Sequence, residues 1–216
     1  MFINIHSHYP AVQNEFVIQS LYAKYQRVIA AGNFSVGWHP WYITSLTAAD
    51  ELPLLQQYAS AKNVLAIGEC GLDKICATDF ALQQQLFTAQ IKLANQLHKP
   101  LIIHCVRSYD EVQKLLQQQY NSVPVIFHGF NKNVALAQQL ISKGYYLSFG
   151  KAVLQPAMQE VLRALPPDKI FFETDDSDSS IEAIYAAAAT VLQIDINSLS
   201  LQIQKNAAAV FGSVFF

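Results

Sequence analysis

The chain is short of charge, cysteine and long apolar runs, and each shortage removes a class of protein. Only 14% of its 216 residues are Asp, Glu, Lys or Arg, against 52% hydrophobic. That balance excludes a self-repelling disordered chain and describes one that buries a core. The formal charge is -2 at pH 7. Bulk positive charge is therefore not what would bring this chain to nucleic acid; local groups would have to do so. There are three cysteines, Cys70, Cys76 and Cys105, and no CxxC spacing. An odd, unpaired set predicts reduced thiols and a cytoplasmic location. Mean hydropathy is +0.18, yet no uninterrupted apolar run approaches the roughly 20 residues of a membrane span. No basic segment followed by a long apolar stretch opens the chain, so no signal peptide is read. No Gly/Ser/Pro-rich linker and no fixed-period repeat divides it, and residues 1–216 are read as a single domain.

What the chain does have is an alternation of short apolar runs with longer segments of helical period. Candidate strands are Phe2–Ile5, Phe16–Gln19, Phe34–Trp38, Val64–Gly68, Leu101–His104, Val125–His128, Tyr145–Phe149 and Ile170–Glu173. Several are apolar without alternation, as strands buried on both faces are. Helices are expected over Phe80–Leu97, Ser108–Gln119, Lys132–Lys143, Gln155–Ala164, Asp178–Leu192 and Ser198–Phe211. Asp79 is placed to cap the first of these, and His98, Lys99 and Pro100 to end it. Strand alternating with helix predicts a parallel sheet, and eight strands favour an α/β fold of the TIM-type (β/α)8 barrel. Such barrels usually run from about 200 to 400 residues, so this one is short. Tyr9–Glu15 are too few for a helical crossover, and Ser20–Asn33 is also short. One or two outer helices are expected to be missing in the N-terminal part.

Ionisable residues gather at the ends of these strands. His6 and His8 end the first, His39 follows the third, and Glu69 ends the fourth. His104 and His128 end the fifth and sixth, and Glu173 and Asp175 end the last. In a parallel barrel those ends converge on one mouth. His6 and His8, two apart on a strand, point the same way and can face one cation. Asp175 can add a carboxylate to that cation. Glu69 has two oxygens and can bridge a pair of cations, with His104 and His128 supplying nitrogen to the second. Any one of these residues alone has an ordinary explanation as a cap, an ion pair or a satisfied core histidine. So many ionisable groups beside apolar strands are costly without compensation. Mixed His and carboxylate donors suit Mg, Mn, Zn or Fe. Two divalent metal ions can activate a water for phosphoryl displacement, which makes Glu69 and Asp175 the candidate catalytic carboxylates. Tyr9, Trp38 and Trp41 lie near strand ends, as core residues or as surfaces for a base. His98 ends a helix and is assigned no role. Cys70 and Cys105 each follow a candidate ligand by one residue and should turn away from the metals.

The motifs "NIHSH", "VGWHP", "AIGECGLDK", "QLFTAQIKLANQLHKPLIIH", "VIFHGF", "YYLSFG" and "FFETD" occur in this order. Together they resemble the TatD-like metal-dependent hydrolases, relatives of the amidohydrolase barrels. The resemblance runs over residues 1–211, and "KNAAAVFG" is similar to the family's closing helix. It implies a TIM-type barrel, two divalent cations and hydrolysis of phosphodiester bonds in DNA. By position, His6 and His8 match the first-metal histidines and Glu69 the shared glutamate. His104 and His128 match the second-metal histidines, and Asp175 the final aspartate. His39 matches a histidine at the mouth that meets substrate phosphate, and Arg107 and Lys74 are further candidate phosphate contacts. The chain departs from the family pattern at Asn4, where the family usually has Asp. It also has a short stretch after His8, Arg107 one residue late, and Asp176-Ser177 where Ala-Pro is common. Two other readings stay open: hydrolysis of another ester or amide, such as a lactone or cyclic amide, and a non-catalytic metal binder. No membrane and no obligate protein partner is expected.

Overall fold

The computed structural model describes residues 1–22, 28, 31–44 and 51–212. Its strands are β1 (Phe2–Ser7), β2 (Glu15–Leu21), β3 (Asn33–Val36), β4 (Val64–Asp73), β5 (Leu101–Val106), β6 (Val125–Phe127), β7 (Tyr146–Phe149) and β8 (Ile170–Phe172). They lie in one sheet in chain order. The pairs β1–β2, β3–β4, β4–β5, β6–β7 and β7–β8 are parallel. Each expected strand is present. β4 is longer than expected and runs on through the Gly-Glu-Cys-Gly stretch to Asp73, buried along all 10 residues. Residues 8–14 carry no helix, as their number required. Most of the β2–β3 connection, the second place where a helix was expected to be missing, lies outside the described residues.

The helices are α1 (Leu52–Ala59), α2 (Phe80–Leu97), α3 (Tyr109–Gln118), α4 (Val134–Ser142), α5 (Pro156–Arg163), α6 (Ile181–Leu192) and α7 (Ile196–Phe211). The expected ends of α2 are found: the Asp79 side chain accepts from the Leu82 N–H, and His98 takes the left-handed C-terminal position at φ 53. α7 starts at Ile196, before the expected Ser198, because the Asp195 side chain caps it, accepting from the Asn197 and Ser198 N–H groups. α1 was not expected from the sequence. It buries only Leu55 and Ala59, too few positions to make a visible period. Among the described residues no single helix is long and apolar enough to cross a membrane.

Two compact units make up the chain. One joins Met1–Gln19 to Ile126–Phe216, and the other is Ser20–Val125. In the first, the fully buried Tyr185 of α6 donates its hydroxyl to the Ile3 carbonyl, 2.9 Å away, which fixes β1. The Asn206 side chain of α7 donates to the carbonyls of Pro167 (2.8 Å) and Ile170 (2.9 Å) and so holds the start of β8. Phe127, Phe149, Phe171 and Phe172 fill the interior between them, each stabilising by roughly 1.5–3 kcal/mol on burial. In the second unit, β4 lies tight against β5. Gly71 has φ +141, and a Cβ there would stand 2.0 Å from the His104 carbonyl oxygen. No other residue fits that place.

Candidate metal centre

In the first unit, main-chain bonds bring the end of β1 to the residues that follow β8. Ser7 and Asp175 form a parallel bridge. The Asp175 N–H donates to the His6 carbonyl (3.0 Å), and the His8 N–H to the Asp175 carbonyl (3.1 Å). Asp175 itself has φ 54, a left-handed conformation that Asp tolerates better than most residues. This backbone turn aims its carboxylate back at β1. Oδ1 lies 3.4 Å from His6 Nε2 and 3.3 Å from His8 Nε2. Burial acts to raise the Asp175 carboxyl, but hydrogen bonds from His6 and His8, with charge from His6 and His128, outweigh it and hold the group well below its ordinary 3.8. His6 is buried, and its ring centre lies 4.3 Å from that of His128. Nδ1 of His128, the residue after β6, is 3.2 Å from Oε1 of the buried Glu173. The same oxygen accepts the Gly129 N–H at 2.7 Å. Glu173 Oε2 is buried with no hydrogen-bond partner among the described residues.

Asn4, the departure from the family pattern, makes a two-point contact beside this set. Its Oδ1 accepts the Thr174 N–H at 3.1 Å, and its Nδ2 donates to Thr174 Oγ1 at 2.9 Å. The amide thus fixes the residue next to Asp175, a contact that alternation along β1 places on the His6 face.

In the second unit, three expected residues meet. Glu69 Oε1 is 2.8 Å from His104 Nδ1 and 3.0 Å from His39 Nε2. His39 Nδ1 accepts the Trp41 backbone N–H at 3.1 Å, so the neutral ring carries its proton on Nε2, toward Glu69. The other nitrogen of His104, Nε2, lies 3.1 Å from Asp73 Oδ2. Asp73 also accepts the Trp41 indole N–H at 2.6 Å and the Ile75 N–H at 2.8 Å. Burial opposes ionisation of Asp73, but the donors from Trp41, Ile75 and His104 prevail and lower its pKa. α2 holds the frame. Gln90 accepts the Trp38 N–H at 2.7 Å, and Gln83 accepts the Asp73 N–H at 2.8 Å and donates to its carbonyl at 3.0 Å.

Within the first unit, the donor atoms of His6, His8 and Asp175 and those of His128, Glu173 and Asp175 lie close enough for one cation, as do those of His39, Glu69 and His104 within the second. Imidazole nitrogen with carboxylate oxygen, and no thiolate, fits the expected divalent cations. Not all expected residues join these groups. Lys74, a candidate phosphate contact, is ion-paired with Glu111 of α3. Arg107 is exposed after β5, at φ 53. Trp38 is buried, whereas Tyr9 and Trp41 are 55% and 56% exposed. Cys70 is fully buried, and burial together with the Glu69 charge raises its thiol pKa, so it is a packing residue. Two carboxylates escaped attention in the sequence. Glu173 ends the last strand, two residues before Asp175, and Asp73 lies four residues beyond Glu69.

The model of the TatD related DNase family matches residues 17–212. The chain belongs to that family. An uncharacterised metal-dependent hydrolase of Buchnera aphidicola is 34% identical over 146 residues, covering 65% of this chain and 54% of that protein. The 3′-5′ ssDNA/RNA exonuclease TatD of Escherichia coli K12 is 28% identical over 149 residues, covering 65% and 56%. The chain thus spans little more than half the length of these curated relatives. The crystal structure of the TatD homologue YjjV of Escherichia coli superposes with a TM-score of 0.84 at 20% identity, covering 97% of each chain. The fold is therefore the α/β TIM-type barrel of the TatD family.

Proposed function

We propose that this chain, working as one hydrolase over residues 1–216, cleaves phosphodiester bonds in a metal-dependent reaction, with DNA as its substrate class. The observation that carries this reading is the pair of mixed histidine–carboxylate donor sets, one at β1 and β8 and one at β4 and β5, in a TatD-family chain. The exonuclease name of a relative supports the choice of substrate. Divalent cations (Mg, Mn or Zn) on these sets would supply Lewis acidity and a water acidic enough to deprotonate near neutral pH. His6, His8 and Asp175 are proposed to hold the first cation, and His104, His128 and Glu69 the second. The family resemblance makes Glu69 common to both. Asp175 or Glu69 accepts the proton of the attacking water. His39, with its proton on Nε2, donates to a phosphoryl oxygen, and Arg107 and Lys74 supply positive charge to the phosphates. The proposal places the protein in the cytoplasm, where its three free cysteines stay reduced.

The test strips the protein with chelator and restores Mg, Mn or Zn in the presence of labelled single-stranded DNA. Cleavage is expected to vanish and return. No cleavage with any metal refutes the nuclease reading. Phosphodiester, lactone and cyclic-amide substrates run in parallel show whether the bond class is wrong.

A further inference from the structure

Two buried carboxylates take no part in the proposed chemistry, yet each grips a histidine that does. Asp73 is 1% exposed and meets His104 at Nε2, which leaves Nδ1 on the side of Glu69. Glu173 is 0% exposed and meets His128 at Nδ1, which leaves Nε2 for a cation. We propose that Asp73, held by Trp41, and Glu173, held by the Gly129 N–H, are positioning residues that fix which ring nitrogen of His104 and of His128 is available to a divalent cation. The inference rests on the metal-centre reading above and adds the groups that set it up.

A neutral imidazole has one N–H and one lone pair, and a carboxylate that accepts from one nitrogen forces the lone pair onto the other. The two histidines are gripped at opposite nitrogens, so the two rings present different atoms. Surrounding donors tighten each grip. Asp73 accepts on both oxygens: Oδ1 from the Ile75 N–H, and Oδ2 from the Trp41 indole and His104. Both oxygens are thus committed as acceptors, and the carboxylate cannot turn away from His104. Glu173 Oε1 is likewise shared between Gly129 and His128, whereas Oε2 has no hydrogen-bond partner among the described residues.

That difference makes the two sites respond differently to amide substitution. In Asp73→Asn, an NH2 group must face either the Ile75 N–H or the Trp41 and His104 side, so the site is frustrated in both orientations. With the NH2 toward His104, the ring is driven to carry its proton on Nδ1. In Glu173→Gln, the amide oxygen can keep both bonds of Oε1, and the NH2 takes the place of the unpartnered Oε2. Glu173→Met keeps the length and loses the acceptor.

The test is a zinc titration of the metal-free full-length chain against a chromogenic chelator, together with long-range proton–nitrogen spectra of the zinc-loaded wild type. Asp73→Asn and Glu173→Met are expected to bind zinc ~10–100-fold more weakly, the range for lost partners behind a metal ligand. Trp41→Phe is expected to lose less than Asp73→Asn, and Glu173→Gln to stay close to wild type. The wild-type spectrum, which needs no variant to fold, is expected to show His104 protonated at Nε2 and His128 at Nδ1. Protonation at the opposite nitrogens, or unchanged affinity in folded Asp73→Asn, overturns the proposal with the metal centre intact. Equal loss in Glu173→Gln and Glu173→Met makes Glu173 a direct ligand and overturns its positioning role. A wild type that binds no zinc overturns both the metal centre and this inference.

Discussion

In the unit built on β1 and β8, main-chain bonds set the donor residues. In the unit built on β4 and β5, side chains from elsewhere set them. His6, His8 and Asp175 are held by a ladder of N–H and carbonyl groups between the two strand ends. His39 and His104 depend on Gln90 gripping Trp38, Gln83 gripping Asp73, and Asp73 gripping His104. A main-chain ladder tolerates changes in neighbouring side chains but not a slip of register. A side-chain frame fails one substitution at a time, because each buried polar group that loses its partner costs ~1–3 kcal/mol. The same chemistry is therefore robust on one side and fragile on the other.

The largest expected effect ignores that difference. Glu69→Ala removes a proposed ligand and base, and DNA cleavage should fall by more than the ~10–100-fold typical of lost outer partners, with the circular dichroism spectrum retained. Turnover at the wild-type rate would remove Glu69 from the site. The next prediction separates the two units. Gln83→Leu strands the buried Asp73 N–H and the carbonyls of Asp73 and Thr78, and should cost at least ~1–3 kcal/mol in urea denaturation. Gln90→Leu, which leaves the Trp38 N–H and carbonyl alone, should cost a similar amount. An unchanged midpoint in both would show that the frame does not depend on α2.

Asn4→Ala tests a side-chain grip beside Asp175 in the first unit. It removes two hydrogen bonds to Thr174 and should cost about 1–2 kcal/mol, no more than Gln83→Leu, because the ladder through Asp175 remains. A larger loss than in Gln83→Leu would reverse the comparison. The smallest effect is on pH dependence. The folded value of Asp175 lies below its ordinary 3.8, so its contribution to stability is present above that value and lost as pH falls below it. Urea midpoints of the metal-free protein should therefore drop between pH 5 and pH 3, and drop less in Asp175→Asn. An identical drop in both would assign the acid sensitivity to other groups.

Much of this was readable from the sequence where a residue and its role share a strand. His6 and His8 follow from alternation along β1, and Glu69, His104, His128 and Asp175 from their place at the ends of apolar runs. The helix ends at Asp79 and His98 follow from local capping chemistry. What the sequence hid depends on residues far apart. Nothing local announces that Trp41 reaches Asp73, 32 residues on. Gln90 falls on the α2 period, but nothing local shows that its amide meets the Trp38 backbone, or that Gln83 meets the Asp73 backbone. The expected fourth strand stops at Gly68, whereas β4 runs on to Asp73, with Gly71 admitting the β5 backbone.

The central claim is that both donor sets hold cations. A manganese titration of the metal-free protein, followed by electron paramagnetic resonance, tests it most directly. The account predicts two manganese ions per wild-type chain and one fewer in each of His8→Ala and His104→Ala. A wild type that binds fewer than two ions, or variants that both keep the full complement, would contradict it.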